Sequence, residues 1–381
     1  MSLEVIRVAS RRDLNRFVAF PFSLYNRREH PAWVPPLRMS VYDALDRDKH
    51  PFYAEADREL FLAVRQGAVV GRIAAIENRA ANAFNDDQTG FWGFFECVND
   101  QGVADALFSA ASGWLGTRGL TSMLGPMNPS INYECGLLVD GFEHAPTFMT
   151  AWNPPYYDAL CAGAKHEKAK DLLGLWFPAV EMEYKLPEFV ERLRDRAVEK
   201  SRITFRSIRL DHFEHDVAAC WEIYNDAWER NWGFVPMTRA EFDHMAKDIK
   251  PLLRTELAFI ASVDGEDVGF MLAVPDYNVS LANNRNGRLW PLGLARLLLG
   301  KRRLKTARVL ALGVKKKFRT RSVLAVFAHE IMARGKEVEG IGAEASWLLE
   351  DNTLIVKPMR DMGARDRMRW RVYERKIRRA R

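Results

Sequence analysis

The sequence has few cysteines and no long apolar run. Its four cysteines are far apart and form no Cys-x-x-Cys pair, a spacing that suits neither a zinc site nor a disulfide framework and favours a reducing compartment. No stretch of about 18 apolar residues could span a membrane, and the first residues contain no signal-peptide core. We therefore expect a cytoplasmic protein with no metal and no permanently bound cofactor.

Acidic residues are missing from one long segment. Between Tyr277 and His329 there is no Asp or Glu, whereas thirteen residues are Lys or Arg. Within it, the insertion 283–308 combines Trp290 with leucines, which is typical of a helix on an anionic lipid surface. Such a helix would hold the protein at the inner face of a membrane, and packing on its own core or a dimer contact is the alternative. Nucleic acid is not an expected partner, because stacking aromatics and known motifs are absent.

One β-hairpin pattern occurs twice, with Gly71 in the first copy and Gly269 in the second. Each hairpin precedes a strand, then a helix (103–117 and 322–334) ending at Gly119 or Gly335 as a cap, then another strand. This β-β-β-α-β order predicts a duplicated α/β (α+β) domain, and chance similarity of two hairpins is the alternative. We place the domains at 1–190 and 191–381, with a charged helical stretch at their junction.

A basic loop precedes the helix of the second half, and its layout resembles the GNAT superfamily of acyl-CoA N-acyltransferases. Members have a mixed, mostly antiparallel sheet flanked by helices, so the resemblance implies two tandem GNAT-like domains. Their loop reads Arg-x-x-Gly-x-Gly/Ala, and its backbone N–H groups hold the coenzyme A pyrophosphate. Arg319 matches the first position, whereas Ser322 and Leu324 replace the glycines. The implied acyl-CoA site comprises Leu312, Val314, Lys317, Arg319, Thr320, Arg321, Ser322, Val323, Leu324 and Asn352.

The resemblance also directs attention to catalytic groups. Met359 stands where the superfamily often has a tyrosine that protonates the leaving thiolate. Tyr373 is a candidate substitute, with a structural core tyrosine as the alternative. The thiolate could also leave unprotonated, since thiols have a pKa near 8.5. Amide formation needs a base for the amine, and Glu344 on the predicted fifth strand is our first candidate, with an ion-paired or surface glutamate as the alternative.

The first half lacks the phosphate loop, because acidic residues follow its fourth strand from Glu96 onward. We expect this half to help bind the acceptor. The polar segment Gly125–Gly136 sets hydrogen-bonding groups among apolar neighbours, which suits a substrate pocket, although a turn-rich loop is the alternative. The predicted substrate-binding residues are Glu96, Asn128, Asn132 and Glu134.

Several further strings resemble one bacterial branch of the superfamily, to which bacterial ceramide synthases belong. They are Pro35-Pro36 after Trp33, GFWGFFE from Gly90, GPMNPSINYECGL from Gly125, NPPYY from Asn153 and WLLEDN from Trp347. This resemblance implies transfer of an acyl group from an acyl-CoA or acyl carrier protein thioester to an amine, and a long-chain sphingoid amine is one such acceptor.

Two other functions stay open at this stage. Paired GNAT domains also occur in peptidyl transferases that use aminoacyl-tRNA, and tRNA binding by variants in 315–321 would test this. A non-catalytic protein that binds acyl-CoA or lipid is the other, because the glycines and the tyrosine are missing. Calorimetry with coenzyme A would test whether the donor site is functional.

Overall fold

The computed structural model of the chain describes residues 2–229, 231–290, 294, 297, 300, 304–319 and 321–377. The chain forms two compact units. The first unit contains Met1–Leu172, Ser280–Leu298 and Met368–Arg381, and the second unit contains Leu173–Val279 and Leu299–Arg367. These units differ from a simple division at residue 190, because residues 173–190 belong to the second unit and two later segments of the chain belong to the first.

The first unit contains a mostly antiparallel sheet with helices. Its elements are β1 (Leu3–Arg7), α1 (Arg11–Leu24), α2 (Arg38–Ala44), β2 (Ala56–Arg65), β3 (Ala68–Asn78), α3 (Arg79–Asn85), β4 (Thr89–Cys97), α4 (Gln101–Gly116), β5 (Ser122–Gly125), β6 (Met127–Asn128), β7 (Glu134–Cys135), β8 (Leu137–Asp140), α5 (Tyr156–Gly163) and the start of β9 (Glu167–Phe177). Strands β1 to β4 pair antiparallel in sequence order, and β4 pairs with β5 in parallel. Strands β6 and β7 form a separate small hairpin.

The second unit repeats this order. Its elements are the end of β9, α6 (Glu188–Ser201), β10 (Ile203–Ser207), α7 (Phe213–Trp228), α8 (Arg239–Ile249), β11 (Ala258–Val263), β12 (Glu266–Pro275), the start of α9 (Asn278–Leu281), β13 (Thr306–Val314), α10 (Arg321–Glu337), β14 (Gly342–Leu349), α11 (Thr353–Asp361) and the start of β15 (Arg365–Lys376). Strands β10 to β13 pair antiparallel, and β13 pairs with β14 in parallel. The predicted fold, a duplicated mixed sheet flanked by helices, is therefore confirmed.

The glycine shared by the two hairpins has a packing role in both units. A Cβ atom on Gly71 would lie 2.7 Å from the side chain of Leu107 on α4. On Gly269 it would lie 2.9 Å from the carbonyl oxygen of Gly313 and 3.0 Å from the ring of Phe327 on α10. The glycine therefore lets a helix approach the sheet closely in each unit, α4 in the first unit and α10 in the second.

Two later segments of the chain belong to the first unit, and hydrogen bonds join them to its earlier residues. Strand β15 pairs antiparallel with β5, where Tyr373 is opposite Gly125, and it also pairs with β8. In the 280–298 segment, Gly287 accepts a hydrogen bond from the Arg38 backbone N–H at 2.8 Å. The hairpin repeat carries no information on these contacts, which involve residues far apart in the chain.

One predicted helix end is wrong. Helix α10 does not end at Gly335 but continues through it to Glu337. Gly335 does not have a positive φ, whereas Glu339, just after the helix, has a φ of 54°, so Gly335 does not act as a left-handed cap. In the parts of the chain that are described, no helix combines the length and hydropathy that a membrane span requires.

Candidate active site

A carboxylate network lies at the end of β4 in the first unit. Oxygen Oε2 of Glu96 accepts hydrogen bonds from the hydroxyl groups of Tyr25 and Tyr157, the latter at 2.7 Å. The two hydroxyl oxygens are 3.1 Å apart. Arg72, the partner of Glu96 in the β3–β4 ladder, places Nη2 at 3.7 Å from Glu96 Oε1. Residues from the end of α1, from β3 and from α5 thus converge on one carboxylate.

The second carboxylate oxygen of Glu96 remains available to a ligand. Within the described ranges, Glu96 Oε1 accepts no hydrogen bond, and Arg72 is the cation beside it. The Glu96 side chain keeps 15% of its surface exposed. Burial raises the pKa of Glu96 above its ordinary value, although Arg72 and the two tyrosine hydroxyls act in the opposite direction. A carboxylate with a raised pKa is a stronger base than an exposed glutamate.

Aromatic rings surround Tyr25 at this network. The ring centroids of Trp33, His30 and Trp152 lie 4.9, 5.1 and 6.0 Å from that of Tyr25. Nδ1 of His30 and Nε of Arg72 are buried and form no hydrogen bond with any residue that the structure describes. Because buried polar atoms nearly always have a partner, the two nitrogens mark positions for water or for polar groups of a ligand.

The predicted polar segment Gly125–Gly136 folds as the β6–β7 hairpin and lies against β4. Asn128 Oδ1 accepts a hydrogen bond of 2.6 Å from the backbone N–H of Phe94, and Asn128 Nδ2 donates to Glu134 Oε1 at 2.9 Å. Phe94 has a positive φ of 48°, at the irregularity that interrupts the β3–β4 ladder. Three of the four predicted substrate-binding residues, Glu96, Asn128 and Glu134, thus lie on β4 and the hairpin beside it.

Asn132 is placed differently from those three residues. It lies in the turn of the hairpin, where its backbone N–H donates to Ser130 Oγ at 3.2 Å. Its neighbour Tyr133 packs edge-on against His50. The described hydrogen bond of Asn132 therefore shapes the turn, and its role toward a substrate stays a prediction.

The helix start that follows β4 is occupied by the protein's own carboxylate. Asp100 caps α4 and accepts hydrogen bonds from the N–H groups of Gly102 and Val103 at 2.9 and 3.3 Å. Its other oxygen is 2.8 Å from Arg65 Nη2. An anion from outside would compete with this carboxylate for the N–H groups.

The sheet of the second unit opens next to the predicted donor loop. The parallel pairing of β13 and β14 ends at Val309 and Ala345, although these strands continue to Val314 and Leu349. A register shift in the β12–β13 ladder leaves Leu310 as an extra residue. The facing edges beyond this point can form hydrogen bonds with the amides of an extended ligand.

The lysines of the donor loop are paired with acidic residues of the same unit. Lys315 and Lys317 place Nζ at 3.2 and 2.8 Å from the two carboxylate oxygens of Glu266, and Lys316 pairs with Glu229. These pairs partly neutralise the positive charge that the sequence places here. A pyrophosphate would have to compete with Glu266 and Glu229 for the lysines.

Arg319 attaches the donor loop to helix α7. Its guanidinium donates to the carbonyl oxygen of Ala227 at the end of α7, and Nε donates to the carbonyl oxygen of Val314 at 3.0 Å. Thr320 lies outside the described residues. Arg321 and Ser322 form the first turn of α10.

The other predicted donor residues lie around the strand opening and in the core. Leu312 lies opposite Met271 in the sheet, and Leu324 in the first turns of α10 lines the same cavity as Leu312. Val323 packs on the core of the unit. Asn352 is the residue immediately before helix α11.

Glu344, the first candidate for the base, is fully buried in β14 of the second unit. Ser346 Oγ donates to Glu344 Oε1 at 2.9 Å, and Arg367 Nε lies 3.6 Å from Oε2. Arg308 is opposite Glu344 in the β13–β14 ladder. This surrounding is that of an ion-paired glutamate, and direct reaction with an amine would require access that a side chain with 0% exposure does not have.

Tyr373, the candidate acid, lies in β15 and belongs to the core of the first unit, with 3% exposure. Its hydroxyl group donates to Asp158 Oδ1. Burial raises the pKa of Tyr373 far above its ordinary value, and the hydrogen bond to Asp158 acts in the same direction. These surroundings favour the core role for this tyrosine, and its catalytic role stays a prediction.

Sequence reasoning missed Tyr25, Arg72 and Tyr157 as site residues. Tyr157 is the last residue of the NPPYY string, which is a usable signal, since tyrosine hydroxyls usually find a hydrogen-bond partner when they are buried. Tyr25 and Arg72 carried no signal of their own. Only their position beside Glu96 in the folded unit identifies them as site residues.

The duplicated sheet, with a parallel strand pair that opens next to a helix start, defines the fold class of tandem GNAT proteins. The chain is similar to a tandem GNAT protein from the clavulanic acid biosynthesis pathway, with 12% identity and a TM-score of 0.58 over the full length of both chains. It is also similar to a GCN5-related N-acetyltransferase from Sphaerobacter thermophilus, with 13% identity and a TM-score of 0.53 over 99% of this chain and 96% of that one.

Sequence comparison narrows this class to a family, although no protein-family model matches the chain. The chain is 34% identical to the bacterial ceramide synthase of Caulobacter vibrioides over 98% of both chains. It is 33% identical to protein YghO of Escherichia coli over 97% of this chain and 94% of that one. The chain therefore belongs to the family of these two proteins, a tandem GNAT branch, and is an acyltransferase.

Proposed function

We propose that the protein transfers a long acyl group from a thioester of coenzyme A, or of an acyl carrier protein, to the amine of a lipid-like acceptor. The observation that carries this proposal is the opening between β13 and β14 beside the start of α10. The amides of a pantetheine arm can pair with the strand edges there. The N–H groups at a helix start suit the pyrophosphate. The name of the relative from Caulobacter vibrioides makes a sphingoid amine the acceptor to test first.

The reaction needs few protein groups once the thioester is held. The amine nitrogen attacks the carbonyl carbon, a C–N bond forms, and the C–S bond breaks to release a thiolate. Because a thiol has a pKa near 8.5, the thiolate can leave without a protein acid. Neither Tyr373 nor another tyrosine in its place is then required. The amine must give up one proton to a base before the amide is complete.

We propose that Glu96 and the residues around it bind the amine end of the acceptor in the first unit. The available oxygen Oε1 suits an ammonium group. The raised pKa of Glu96 lets the carboxylate take up a proton from the ammonium group bound beside it, which leaves the amine neutral. The rings of Tyr25, Trp33 and Trp152 offer an apolar and aromatic surface for the adjoining part of the acceptor.

The direct test uses the purified full chain with hexadecanoyl-CoA and sphinganine. Release of coenzyme A and formation of the amide, measured by mass spectrometry, are the expected results. Hexadecanoyl acyl carrier protein replaces the CoA thioester in a parallel reaction. Absence of amide with both donors would overturn the proposal, whereas amide with one donor identifies the carrier.

The donor loop gives a prediction in which two variants act in opposite directions. Arg319→Ala removes the two hydrogen bonds that attach the loop, and we expect about tenfold weaker coenzyme A binding. Glu266→Gln releases Lys315 and Lys317 from their ion pairs, and we expect about threefold tighter binding, with a larger gain at low salt. Isothermal titration calorimetry with coenzyme A measures both. Equal affinity of the two variants would exclude this loop as the pyrophosphate site.

We also propose that the segment 283–308 binds an anionic lipid surface; residues 291–293, 295–296, 298–299 and 301–303 of this segment lie outside the described residues. Trp290 is 76% exposed and Met39 is 57% exposed, and both belong to the first unit. Arg38, next to Met39, donates through Nε to the carbonyl oxygen of Asn286 at 2.7 Å. An exposed tryptophan close to basic residues is typical of a membrane-interface anchor.

Replacing Trp290 tests this surface. Trp290→Ser is expected to lower the affinity for phosphatidylglycerol vesicles by about tenfold, because the indole no longer enters the interface. Phe84→Ser is the matched control, since Phe84 is an exposed aromatic residue of the same unit, with 43% exposure. Flotation in a density gradient measures both. Equal loss in the two variants, or none in either, contradicts a specific contact through Trp290.

A further inference from the structure

A cavity lies beneath helix α10 in the second unit, and we infer that it holds the acyl chain of the donor and sets the chain length that the enzyme accepts. The inference rests on the proposed function for its substrate class. The cavity itself, with a volume of about 100 Å³, is a feature of the fold whichever thioester carries the acyl group. Voids of this size are few in a packed domain.

The lining of the cavity is apolar with few exceptions. Strands β12, β13 and β14 form one side and helices α10 and α11 the other. Among the lining residues that the structure describes, Arg254, Lys305 and Thr306 are the polar ones. Alternation along β14 directs Ala343 and Ala345 to the cavity and Glu344 to the opposite face of the sheet. Cavities with an apolar lining take up apolar ligands. The chemistry of the lining therefore selects a hydrocarbon chain.

The cavity begins where the donor thioester is proposed to lie. Val309 and Ala345, the last paired residues of β13 and β14, both line it, as do Leu312 on β13 and Leu324 in the first turns of α10. A chain attached to a thioester in the strand opening could thus enter the cavity directly. The strand opening and the cavity thus share these residues within the same unit.

The cavity follows the helix for most of its length. Its lining extends along α10 from Leu324 past Gly335, and it includes Val338 just after the helix, a distance of about 21 Å at 1.5 Å per residue. Four of the lining residues are methionines, namely Met271, Met332, Met359 and Met362. Methionine side chains are flexible and adapt to irregular ligands. Their rotation can widen a cavity of about 100 Å³ to admit a longer chain.

Two positions on α10 allow the path to be blocked at different depths. Ala328 lies one turn from Leu324, and Gly335 lies about 10 Å further along the helix; both line the cavity. Ala328→Phe is therefore expected to block the path near the thioester, and Gly335→Phe only its far end. Ala333→Phe is the matched control, because Ala333 lies on the same helix but is exposed.

Binding of free octanoate and hexadecanoate to the full chain, measured by calorimetry, tests the cavity without catalysis. We expect both blocking variants to weaken hexadecanoate binding by about tenfold or more, which corresponds to about 1.4 kcal/mol. Only Ala328→Phe should also weaken octanoate binding. Ala333→Phe should bind both acids as the unchanged chain does. If the phenylalanine variants do not fold, Gly335→Ala, whose Cβ has open space, should give a smaller loss for hexadecanoate alone.

Enzyme assays with octanoyl-CoA and hexadecanoyl-CoA then separate the two proposals. Gly335→Phe should keep activity with octanoyl-CoA and lose it with hexadecanoyl-CoA. If the unchanged chain acylates no amine but shows the binding pattern above, the proposed function fails and the cavity assignment stands. If hexadecanoate binds equally to the unchanged chain and to both blocking variants, the assignment is overturned.

Discussion

Replacing Glu96 by glutamine is expected to raise the KM for a long-chain amine by about 100-fold, because an ammonium group in a partly buried site loses its carboxylate partner. Glutamine keeps the shape and can still accept hydrogen bonds from Tyr25 and Tyr157. The change therefore removes the charge with little change in packing. Steady-state kinetics at saturating hexadecanoyl-CoA, with sphinganine as the varied substrate, measure the effect.

Glu77→Gln is the control for this variant. Glu77 lies on β3 of the same sheet, and its side chain has 19% exposure against 15% for Glu96. It also pairs with an arginine, Arg118, at 3.3 Å. Loss of a half-buried ion pair of this kind should leave the KM for the amine unchanged. Equal effects of the two variants would show that Glu96 acts through stability alone.

The pH dependence of the same reaction tests whether Glu96 takes up the proton. A base must be ionised, so activity should rise with pH as Glu96 loses its proton, at a pKa raised by burial. The hydroxyl group of Tyr157 lowers that pKa by hydrogen bonding. In Tyr157→Phe the acid limb of kcat/KM should therefore move to higher pH. A limb that stays in place, or moves to lower pH, contradicts the role of Glu96 as the base.

The duplicated fold could be predicted because it depends on local patterns that occur twice. Gly71 and Gly269 each lie near the start of a strand that follows a tight turn, and both make room for a helix that packs on the sheet. Hairpins and the helices that follow them involve residues close in sequence. The sequence patterns of these elements therefore remain recognisable even where the two copies share few identical residues.

The return of β15 to the first unit could not be predicted in the same way. Its pairing with β5 joins residues such as Tyr373 and Gly125, and no pattern within a short window carries that information. The same reason explains the candidate site. Glu96 was noticed as an acidic residue after a strand, but its partners Tyr25 and Tyr157 come from distant helices, and their hydroxyl groups meet only in the folded unit.

Burial also distinguishes Glu344, the predicted base, from Glu96, which the sequence predicts only as a substrate-binding residue. On the sequence alone, both are glutamates on strands of corresponding halves. In the structure, Glu344 has no exposed surface and lies beside Arg367, whereas Glu96 keeps one oxygen available. Burial of a single strand residue depends on what packs over it, and the hydropathy pattern of that strand does not report this.

Gly93→Ala is expected to lower the free energy of unfolding by about 3 kcal/mol, the upper range for an overpacked site. A Cβ atom at this position would lie 1.7 Å from the carbonyl oxygen of Met127 and 2.8 Å from Asn128 Oδ1. Both contacts belong to the β6–β7 hairpin, so the hairpin must move away from β4. The midpoint of urea unfolding, followed by far-UV circular dichroism, measures the loss.

Gly113→Ala is the matched control for that variant, since Gly113 lies within α4 of the same unit and its Cβ would have open space. Alanine is the better helix former, so we expect stabilisation by about 0.5–1 kcal/mol. In Gly93→Ala, displacement of the hairpin should also break the hydrogen bond from Phe94 to Asn128 and raise the KM for the amine. A stable Gly93→Ala variant with an unchanged KM would mean that the hairpin neither packs on β4 as described nor supports the acceptor site.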